Sequence, residues 1–423
     1  MHQRGIWVGW ISLAAAFAMA QFHRLTLASM GDTVMADLGI GAATFGLIAT
    51  MYFYAYALLM VPGGALADLY GPRQIASLGC AVAAAGAILF GMAHSPWWAM
   101  VGRLLVGGGV AVTFPCILRF QHTQFPPRLF GTLTGALVGS TTASSLLAYV
   151  PLALLVQSVG WRSSHYLMAG LTLGVGCLVW FTVRETPIAI GDTSAPGHTQ
   201  GRWRALRSGM AQVLGNRHSW PPFLIQAGNY GSILSFVGAW AVPYLMRVHS
   251  MDLVTASAYA QIPLIGMSVG GPAIGWVSDR LELRRGPTLT LSLILVACWL
   301  WLVIATPPRA ALLPLLLILG FTGGVIVTTV SANSEANPPG LAGISAGVVA
   351  TGGILGAAVI QPTMSWLLDS AGLTPLGFRI GFTSGLAGAI IAAVASYFLL
   401  ETYGRNAFAP SGVLHSADAL DPS

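Results

Sequence analysis

Basic side chains occur inside long apolar stretches of this chain. His23 and Arg24 lie towards the end of the first stretch, and Arg103 lies within the fourth. A charged group in hydrocarbon is costly unless it is paired or faces water, so these positions predict a polar cavity. In such a cavity, arginine would attract an anionic or zwitterionic solute, and histidine could carry a proton near neutral pH. Placement near a helix end, with the charged group at the membrane surface, is the alternative.

Uncharged polar residues in other apolar stretches extend this prediction. Tyr52 and Tyr56 are four positions apart, so on a helix they share one face. In the second half of the chain the further cavity candidates are Gln226, Asn229, Tyr230, Gln261 and Asn333. Interfacial anchoring is the alternative for the tyrosines, and hydrogen bonding between helices is the alternative for the other residues.

Catalytic and metal chemistry are not indicated. The four cysteines are scattered without a CxxC pair, so neither a metal site nor a disulfide is expected. The sequence contains no recognisable nucleophile–base set and no GxxxxGK[ST] loop, and all nineteen Lys+Arg residues are arginine. We therefore predict no enzyme activity, no ATP-driven pump, no metal and no cofactor. No carboxylate lies clearly at a membrane centre, so the sequence offers no obvious proton carrier.

Composition indicates which elements hold these residues. Hydrophobic residues make up 55% of the 423 residues and charged residues only 8%. A soluble globular protein contains roughly 25% charged residues, and an α-helical membrane span needs about 20 mostly apolar residues. We predict an all-α membrane protein with twelve transmembrane helices, at 6–29, 42–67, 74–93, 97–121, 128–156, 163–183, 221–246, 253–278, 287–306, 310–333, 340–368 and 376–400.

The predicted spans divide into two equivalent halves. The one long hydrophilic interior segment predicts an N-terminal six-helix bundle at 1–183, a cytoplasmic linker at 184–219 and a C-terminal six-helix bundle at 220–402. A disordered cytoplasmic tail is expected at 403–423. The Pro-Pro pair before the fifth span recurs before the eleventh. Such a repeat implies a pseudo-twofold axis along the membrane normal, with a cavity between the bundles.

The distribution of arginine predicts the orientation. With the N-terminus inside, thirteen of the nineteen arginines fall on or near the cytoplasmic side and four fall outside. This bias places both termini in the cytoplasm. The arginines separate apolar segments and form no continuous stripe, so no nucleic-acid partner is expected. The first apolar stretch imitates a secretory signal but continues to about Ser29, which favours a membrane span.

A motif after the second span resembles a known family. Residues 64–73 read Gly-Ala-Leu-Ala-Asp-Leu-Tyr-Gly-Pro-Arg, similar to the GxLaDrxGrr signature of the major facilitator superfamily, although Leu69 and Pro72 stand where a basic residue is usual. A partial copy occupies 275–280 in the second half. The resemblance implies a role in closing the cytoplasmic side for Gly64, Asp68, Gly71, Arg73, Gly275, Asp279 and Arg280. Ordinary solvation of helix ends is the alternative for the two aspartates.

A second pattern in the fourth span supports the resemblance. Arg103 to Gly109 looks like the RxxxGxG pattern of the family's fourth helix, whereas the GxxxGPxxGG pattern of the fifth helix in drug–proton antiporters is absent. The resemblance implies a secondary transporter in which two bundles rock about a site at the midplane.

The substrate prediction is a small organic anion or zwitterion, contacted by Arg24 and Arg103. Its own gradient or a coupled ion, H+ or Na+, would drive transport. A proton-coupled drug exporter is one alternative, and a non-transporting membrane receptor or assembly factor is the alternative of another class. We expect a monomer in the lipid bilayer of a bacterial inner membrane.

Overall fold

The computed structural model is α-helical almost throughout the residues that it describes, which are 2–126, 129, 133, 136, 137, 144–184, 198–338, 341–405, 407 and 408. Eleven stretches of these residues are long and apolar enough to cross a membrane. One of them, Ser144–Thr182, contains 39 residues and is therefore long enough for nearly two spans. Its helix is broken at Gly160, where a φ of 80° favours glycine. The fifth and sixth spans meet there, so the chain has the twelve predicted spans, the fifth being described mainly in its second part.

The helices of the first half are α1 His2–Leu25, α2 Gly31–Leu38, α3 Ala42–Tyr70, α4 Pro72–Gly91, α5 Pro96–Ala111, α6 Thr113–Gln124 and α7 Val150–Thr182. A further helix, α8 His198–Gly215, lies within the predicted linker. The second half contains α9 Trp220–Ser235, α10 Ala241–His249, α11 Leu253–Ala260, α12 Ile262–Leu281, α13 Arg285–Ile304, α14 Arg309–Phe321, α15 Val325–Glu335, α16 Ala342–Ala371 and α17 Pro375–Tyr397.

The two halves repeat one packing pattern. The second span packs on the fourth and the third on the sixth, and correspondingly the eighth packs on the tenth and the ninth on the twelfth. Apolar side chains cover the outer surface: Leu58, Phe181 and Val359 are 74%, 79% and 65% exposed. Exposure of such residues is expected where lipid, and not water, surrounds the protein. The all-α membrane fold with two six-helix bundles is thereby confirmed.

The two ends of the spans define two sides of the molecule. We call the side that carries Gly71, Asn216, Arg284 and Glu401 the terminal side, because the described residues nearest the two chain ends, such as Trp7 and Ala407, lie there. The opposite side, which carries Ile40, Gly160, Met251 and Gly372, is the distal side. Successive spans alternate between the two sides in the order of the helices.

The described residues outside the bundles contain one further helix and contacts with the bundles. The linker contains helix α8, whose Gly209 lies against Leu341 and Ile344 beside the start of α16. The predicted tail does not leave the bundle at once, because the Ala407 N–H donates to the Glu335 carbonyl across 2.8 Å. Linker residues 185–197 and tail residues 406 and 409–423 lie outside the described residues.

Four of the described spans are interrupted within their length. Helix α1 ends at Leu25 and continues as the 3-10 turn Thr26–Ser29, and the fourth span changes helix at Val112. The seventh span contains a π-helical segment, Phe236–Trp240, and the tenth contains the 3-10 turn Thr322–Gly324. Each interruption frees backbone carbonyl groups inside the membrane, where they need other hydrogen-bond donors. These interruptions therefore determine where buried polar side chains are needed.

Candidate functional site

Arg24 lies at the end of α1, where the first span is interrupted. Its guanidinium group borders a narrow cavity between the two halves and is partly exposed to it. The other residues around the cavity are Leu25, Ser145, Tyr230, Ile233, Leu234, Val237, Leu264 and Met267. The cavity therefore presents one cation from the first half against a largely apolar wall from the second half.

The charge of Arg24 is not neutralised within the described part of the chain. Its guanidinium donates to the Gln21 side chain, while Nε has no hydrogen-bond partner. The nearby polar groups are the hydroxyls of Tyr52, Tyr56 and Tyr230, and no described carboxylate forms an ion pair with it. A buried cation without an anion is costly, and a bound anion would remove that cost.

The described residues leave little room in the cavity. Its space of about 20 Å³ is sufficient for one water molecule and too small for an organic solute. A solute that binds beside Arg24 therefore requires the two halves to separate on one side. Ser145, Leu264 and Met267 were not among the predicted site residues, and nothing in their types or spacing distinguishes them from ordinary core residues.

Arg103 does not line this cavity. Its Nη1 donates to the His23 backbone carbonyl across 2.9 Å, its guanidinium lies 5.1 Å from the centre of the Tyr52 ring, and only 2% of the residue is exposed. The His23 carbonyl is among the last four of α1 and has no donor within that helix. It accepts from Arg103 and, across 3.1 Å, from the Thr26 hydroxyl in the following 3-10 turn. Arg103 thus supplies a hydrogen-bond donor to a backbone carbonyl at the end of α1. It does not occupy the cavity position that the sequence predicts for it.

His23 points away from the cavity, although Arg24 follows it directly. Its Nε2 lies 2.8 Å from the Thr172 hydroxyl on α7, and the residue is 1% exposed. Adjacent residues on a helix point in directions about 100° apart, so one can face the cavity while the other faces the interior of the first bundle. The predicted role of His23 in the cavity does not fit this position.

Tyr52 and Tyr56 share one face of α3, as their spacing predicts. Their rings stack with centroids 5.8 Å apart and an interplanar angle of 17°. The Tyr52 hydroxyl donates to the Ala20 carbonyl across 2.8 Å, and both residues are buried. The pair supports Arg24 from within the first bundle, although neither tyrosine borders the cavity.

The polar candidates of the second half have different positions. Tyr230 borders the cavity opposite Arg24. Asn229 is fully buried and donates to the Thr322 carbonyl at the interruption of the tenth span, across 3.3 Å. Gln226 donates to the Thr329 hydroxyl, across 3.2 Å. Asn229 and Gln226 therefore join the seventh span to the tenth and do not line the cavity.

Two other predicted cavity residues lie elsewhere. Asn333 is fully buried on the terminal side, where its amide donates to the Ser345 carbonyl across 2.8 Å. It also accepts a hydrogen bond from the Asn337 side chain. Gln261 lies at the junction of α11 and α12, outside the cavity lining. Neither residue borders the cavity in this conformation.

The second copy of the loop motif forms a charge cluster. Arg284 lies 2.6 Å from Asp279 and 2.8 Å from Glu335. The Glu401 carboxylate accepts the backbone N–H groups of Arg284 and Arg285, at 2.6 and 2.9 Å. Glu335, followed by Asp279, holds the pKa of Arg284 above its usual value. This cluster joins the eighth, ninth, tenth and twelfth spans on the terminal side.

Other residues of the two motif copies have individual contacts. Gly275 packs closely on Val327 of the tenth span, and Arg280 lies 5.3 Å from the centre of the Trp276 ring. Gly64 faces Pro115 of the fourth span.

Gly71 separates α3 from α4 with a φ of 86°, which favours glycine. Arg73 lies 4.4 Å from the centre of the Trp180 ring. The side chain of Asp68 lies outside the part of the structure that is described.

The halves contact one another on the distal side and at the midplane. Arg247 forms an ion pair with Asp32 at 2.9 Å near the distal ends of the seventh and first spans. Deeper in the bundle, the Tyr149 hydroxyl donates to the Val237 carbonyl across 2.7 Å. The Tyr54 hydroxyl donates across 3.1 Å to the Ala358 carbonyl, which Pro362 leaves without its helical donor. The distal side is therefore closed.

Comparison with known proteins gives consistent similarities. Residues 11–360 match the sequence family described as "Major Facilitator Superfamily". The probable galactarate/D-glucarate transporter GudP of Bacillus subtilis (strain 168) is 26% identical over 440 residues, covering 93% of this chain and 92% of that protein. The multidrug resistance protein MdtL of Klebsiella pneumoniae (strain 342) is 27% identical over 350 residues, with coverages of 82% and 84%.

Solved structures show the same architecture. A bacterial homologue of the human lysosomal transporter Spinster, in an inward-facing and unoccupied conformation, superposes with a TM-score of 0.75 at 16% identity. The superposition covers 95% of this chain and 98% of that one. At this level of identity the comparison concerns the fold.

Proposed function

The chain belongs to the major facilitator superfamily, a family of membrane transporters, and we propose that it moves a small organic anion or zwitterion by alternating access. Arg24 binds the anionic group of the substrate in the cavity between the halves. The observation that carries this proposal is the half-buried Arg24 guanidinium, which has an unpartnered Nε and no carboxylate beside it among the described residues.

The chemistry of Arg24 favours a carboxylate or a similar oxyanion. A guanidinium group offers several N–H donors in one plane, which match the two oxygens of a carboxylate. The name of GudP, galactarate/D-glucarate transporter, also denotes an anionic substrate of that protein. The tyrosines that surround Arg24 offer hydroxyl groups and carry no negative charge that would compete with the substrate at neutral pH.

Alternating access requires that each side can close in turn. The Asp32–Arg247 pair closes the distal side in this conformation. The motif residues on the terminal side, among them Gly64, Asp68, Gly71 and Arg73 in the first half and Asp279 in the second, regulate the opening of that side. The terminal side faces the cytoplasm of a bacterium, following the arginine distribution.

The bundles at 1–183 and 220–402 move as the two bodies of this cycle, joined by the linker at 184–219. The substrate gradient or a coupled ion, H+ or Na+, supplies the energy, and the working unit is a monomer. In a transporter of this architecture, substrate binding at the midplane favours one arrangement of the two halves over the other.

A thermal-shift measurement tests the role of Arg24. The detergent-purified protein is heated with members of a carboxylate library, beside Arg24→Gln and the matched control Arg309→Gln, which removes an exposed arginine on the distal side. A ligand that binds only the folded state at 100 times its Kd stabilises that state by about 2.7 kcal/mol. We expect this stabilisation in the unchanged protein and in Arg309→Gln, and its loss in Arg24→Gln. Equal stabilisation of Arg24→Gln would overturn the proposal.

A drug exporter is the second candidate function. The similarity to MdtL and the apolar wall of Ile233, Leu234, Val237 and Met267 favour it. An exporter of lipophilic cations would place a cationic substrate next to the unpaired Arg24 charge, which is repulsive. Stabilisation of the protein by lipophilic cations and by no carboxylate would establish the exporter in place of the anion transporter.

A further inference from the structure

Gln361 is a buried polar residue for which the fold provides no partner. It lies on α16 and is 1% exposed, and neither its Oε1 nor its Nε2 atom forms a hydrogen bond. Gln226 and Asn229 are also buried, but each uses its amide nitrogen as a donor to the tenth span. A buried amide without any partner costs about 1–3 kcal/mol. An amide in this position therefore requires a partner that the protein itself does not supply.

Gln361 lies near the cavity but does not border it in this conformation. Its Oε1 lies 3.8 Å from the point where a Cβ atom on Gly238 would stand, so the amide lies against the backbone of the seventh span. Gly238 directly follows Val237, which lines the cavity beside Arg24. Both residues belong to the π-helical segment Phe236–Trp240. Segments of this kind occur frequently at functional sites, where they alter the direction of side chains and backbone groups.

The polar groups near Gln361 already have partners. Trp240 donates its indole N–H to the Ser365 hydroxyl across 3.0 Å, and Ser365 donates to the Gln361 backbone carbonyl across 2.7 Å. The Ala358 carbonyl accepts from Tyr54. In this conformation the Gln361 amide forms no hydrogen bond with any of these neighbours. The absence of a structural role separates Gln361 from the other buried amides of the second half.

We propose that Gln361 provides the second polar contact for the substrate, a hydrogen bond to a hydroxyl group on a carboxylate that Arg24 binds. This inference rests on the proposed function and specifies its substrate class, a hydroxy acid. A primary amide contains both donor and acceptor groups, and a hydroxyl group can satisfy either one or both. Arg24 belongs to the first half and Gln361 to the second, so one molecule that touches both would couple its binding to the approach of the halves.

Matched pairs of acids test this contact. The probes are lactate with propionate, 3-phenyllactate with 3-phenylpropionate, and gluconate with hexanoate, which differ within each pair by their hydroxyl groups. Their Kd values are measured with the detergent-purified chain by ligand-dependent thermal shift. The variants are Gln361→Leu and the matched control Gln157→Leu, which changes an exposed glutamine on α7.

The expected result is a preference for the hydroxylated acid of at least one pair, by about tenfold, in the unchanged protein and in Gln157→Leu. Gln361→Leu is expected to bind both acids of that pair with equal affinity. Its melting temperature without ligand should be equal to or above that of the unchanged protein, because the substitution removes an unpaired buried amide.

Several outcomes would overturn the inference. They are the absence of any preference for hydroxylated acids in the unchanged protein, and a preference that persists in Gln361→Leu. If carboxylates bind with dependence on Arg24 but without dependence on hydroxyl groups, the proposed function stands and this inference fails. If no probe binds, or if binding persists in Arg24→Gln, both fail.

Discussion

Arg103 donates a hydrogen bond to the backbone carbonyl of His23, the residue that directly precedes Arg24. Arg103 thus holds the end of the interrupted first span, whereas Arg24, at that end, faces the cavity. The two cations have different tasks, although the sequence presents them as similar charged residues within apolar stretches. This relationship leads to the first prediction.

Substitution of Arg103 should affect stability more than binding. We expect Arg103→Gln to lower the melting temperature, because the loss of a charged hydrogen bond of about 1.5–3 kcal/mol leaves the end of α1 less well held. Carboxylate Kd values should change by less than about threefold, since Arg103 does not line the cavity. Thermal unfolding with and without ligand measures both quantities. A complete loss of carboxylate binding in a folded Arg103→Gln protein would assign Arg103 to the substrate site.

Close contact between the second and fourth spans depends on Gly107. A Cβ atom there would overlap the Tyr52 carbonyl oxygen, whereas a Cβ atom on Gly170 of α7 would meet nothing within 4 Å. Gly107→Ala should lower the melting temperature, because the backbones of α3 and α5 must separate. Gly170→Ala should raise or preserve it, since alanine favours a helix over glycine by about 0.5–1 kcal/mol. Equal melting temperatures for the two variants would contradict this close approach.

The charge cluster of the second half should matter for transport more than for substrate affinity. Arg284→Ala leaves the Asp279 and Glu335 carboxylates without their shared cation. The Asp279 side chain is exposed, but the Arg284–Glu335 pair is largely buried, and breaking such a pair costs on the order of 3 kcal/mol. We expect a lower melting temperature and slower uptake, with carboxylate Kd values unchanged within about twofold.

Arg405→Ala provides the control for this substitution. Arg405 is exposed near the cluster, and its described hydrogen bond uses the backbone, donating to the Thr402 carbonyl. The control should resemble the unchanged protein in stability and uptake. If Arg284→Ala transports at the normal rate, the cluster has no role in the cycle.

The Asp32–Arg247 pair should regulate the distal side without adding much stability. Both side chains are substantially exposed, 25% and 40%, and such pairs contribute only about 0–1 kcal/mol. Arg247→Asp places two negative charges together and should slow uptake by disfavouring distal closure. The exchanged double variant Asp32→Arg with Arg247→Asp should restore most of the rate. A double variant as slow as the single one would show that the pair does not act as a unit.

The sequence predicts the membrane fold well because apolar spans are continuous and polar breaks are few. The helix from Ala42 to Tyr70 and the span from Pro375 to Tyr397 begin at or within one residue of their predicted starts. The break between the fifth and sixth spans was predicted at 157–162, and Gly160, where the helix is broken, lies within it. The helix α8 was missed because its sequence lacks a long apolar stretch.

The site is less predictable for a specific physical reason. The sequence identifies which buried side chains are polar, but it does not show where a span is interrupted and releases carbonyl groups. Arg103 and Asn229 satisfy such carbonyls, at His23 and Thr322, and so do not line the cavity. Gln361 was not predicted as a site residue, because a glutamine before a proline in an apolar stretch does not stand out in the sequence. That its side chain lacks a hydrogen-bond partner is evident only from the packing of the neighbouring helices.

Counterflow uptake in proteoliposomes tests the central claim most directly. The labelled solute is the carboxylate that stabilises the purified protein most, and the proteins are the unchanged chain, Arg24→Gln and Arg309→Gln. If Arg24 binds the anionic group, Arg24→Gln should take up the solute at least about tenfold more slowly, while Arg309→Gln should match the unchanged chain. Equal uptake by Arg24→Gln and the unchanged chain would contradict the assignment of Arg24 as the anion-binding residue.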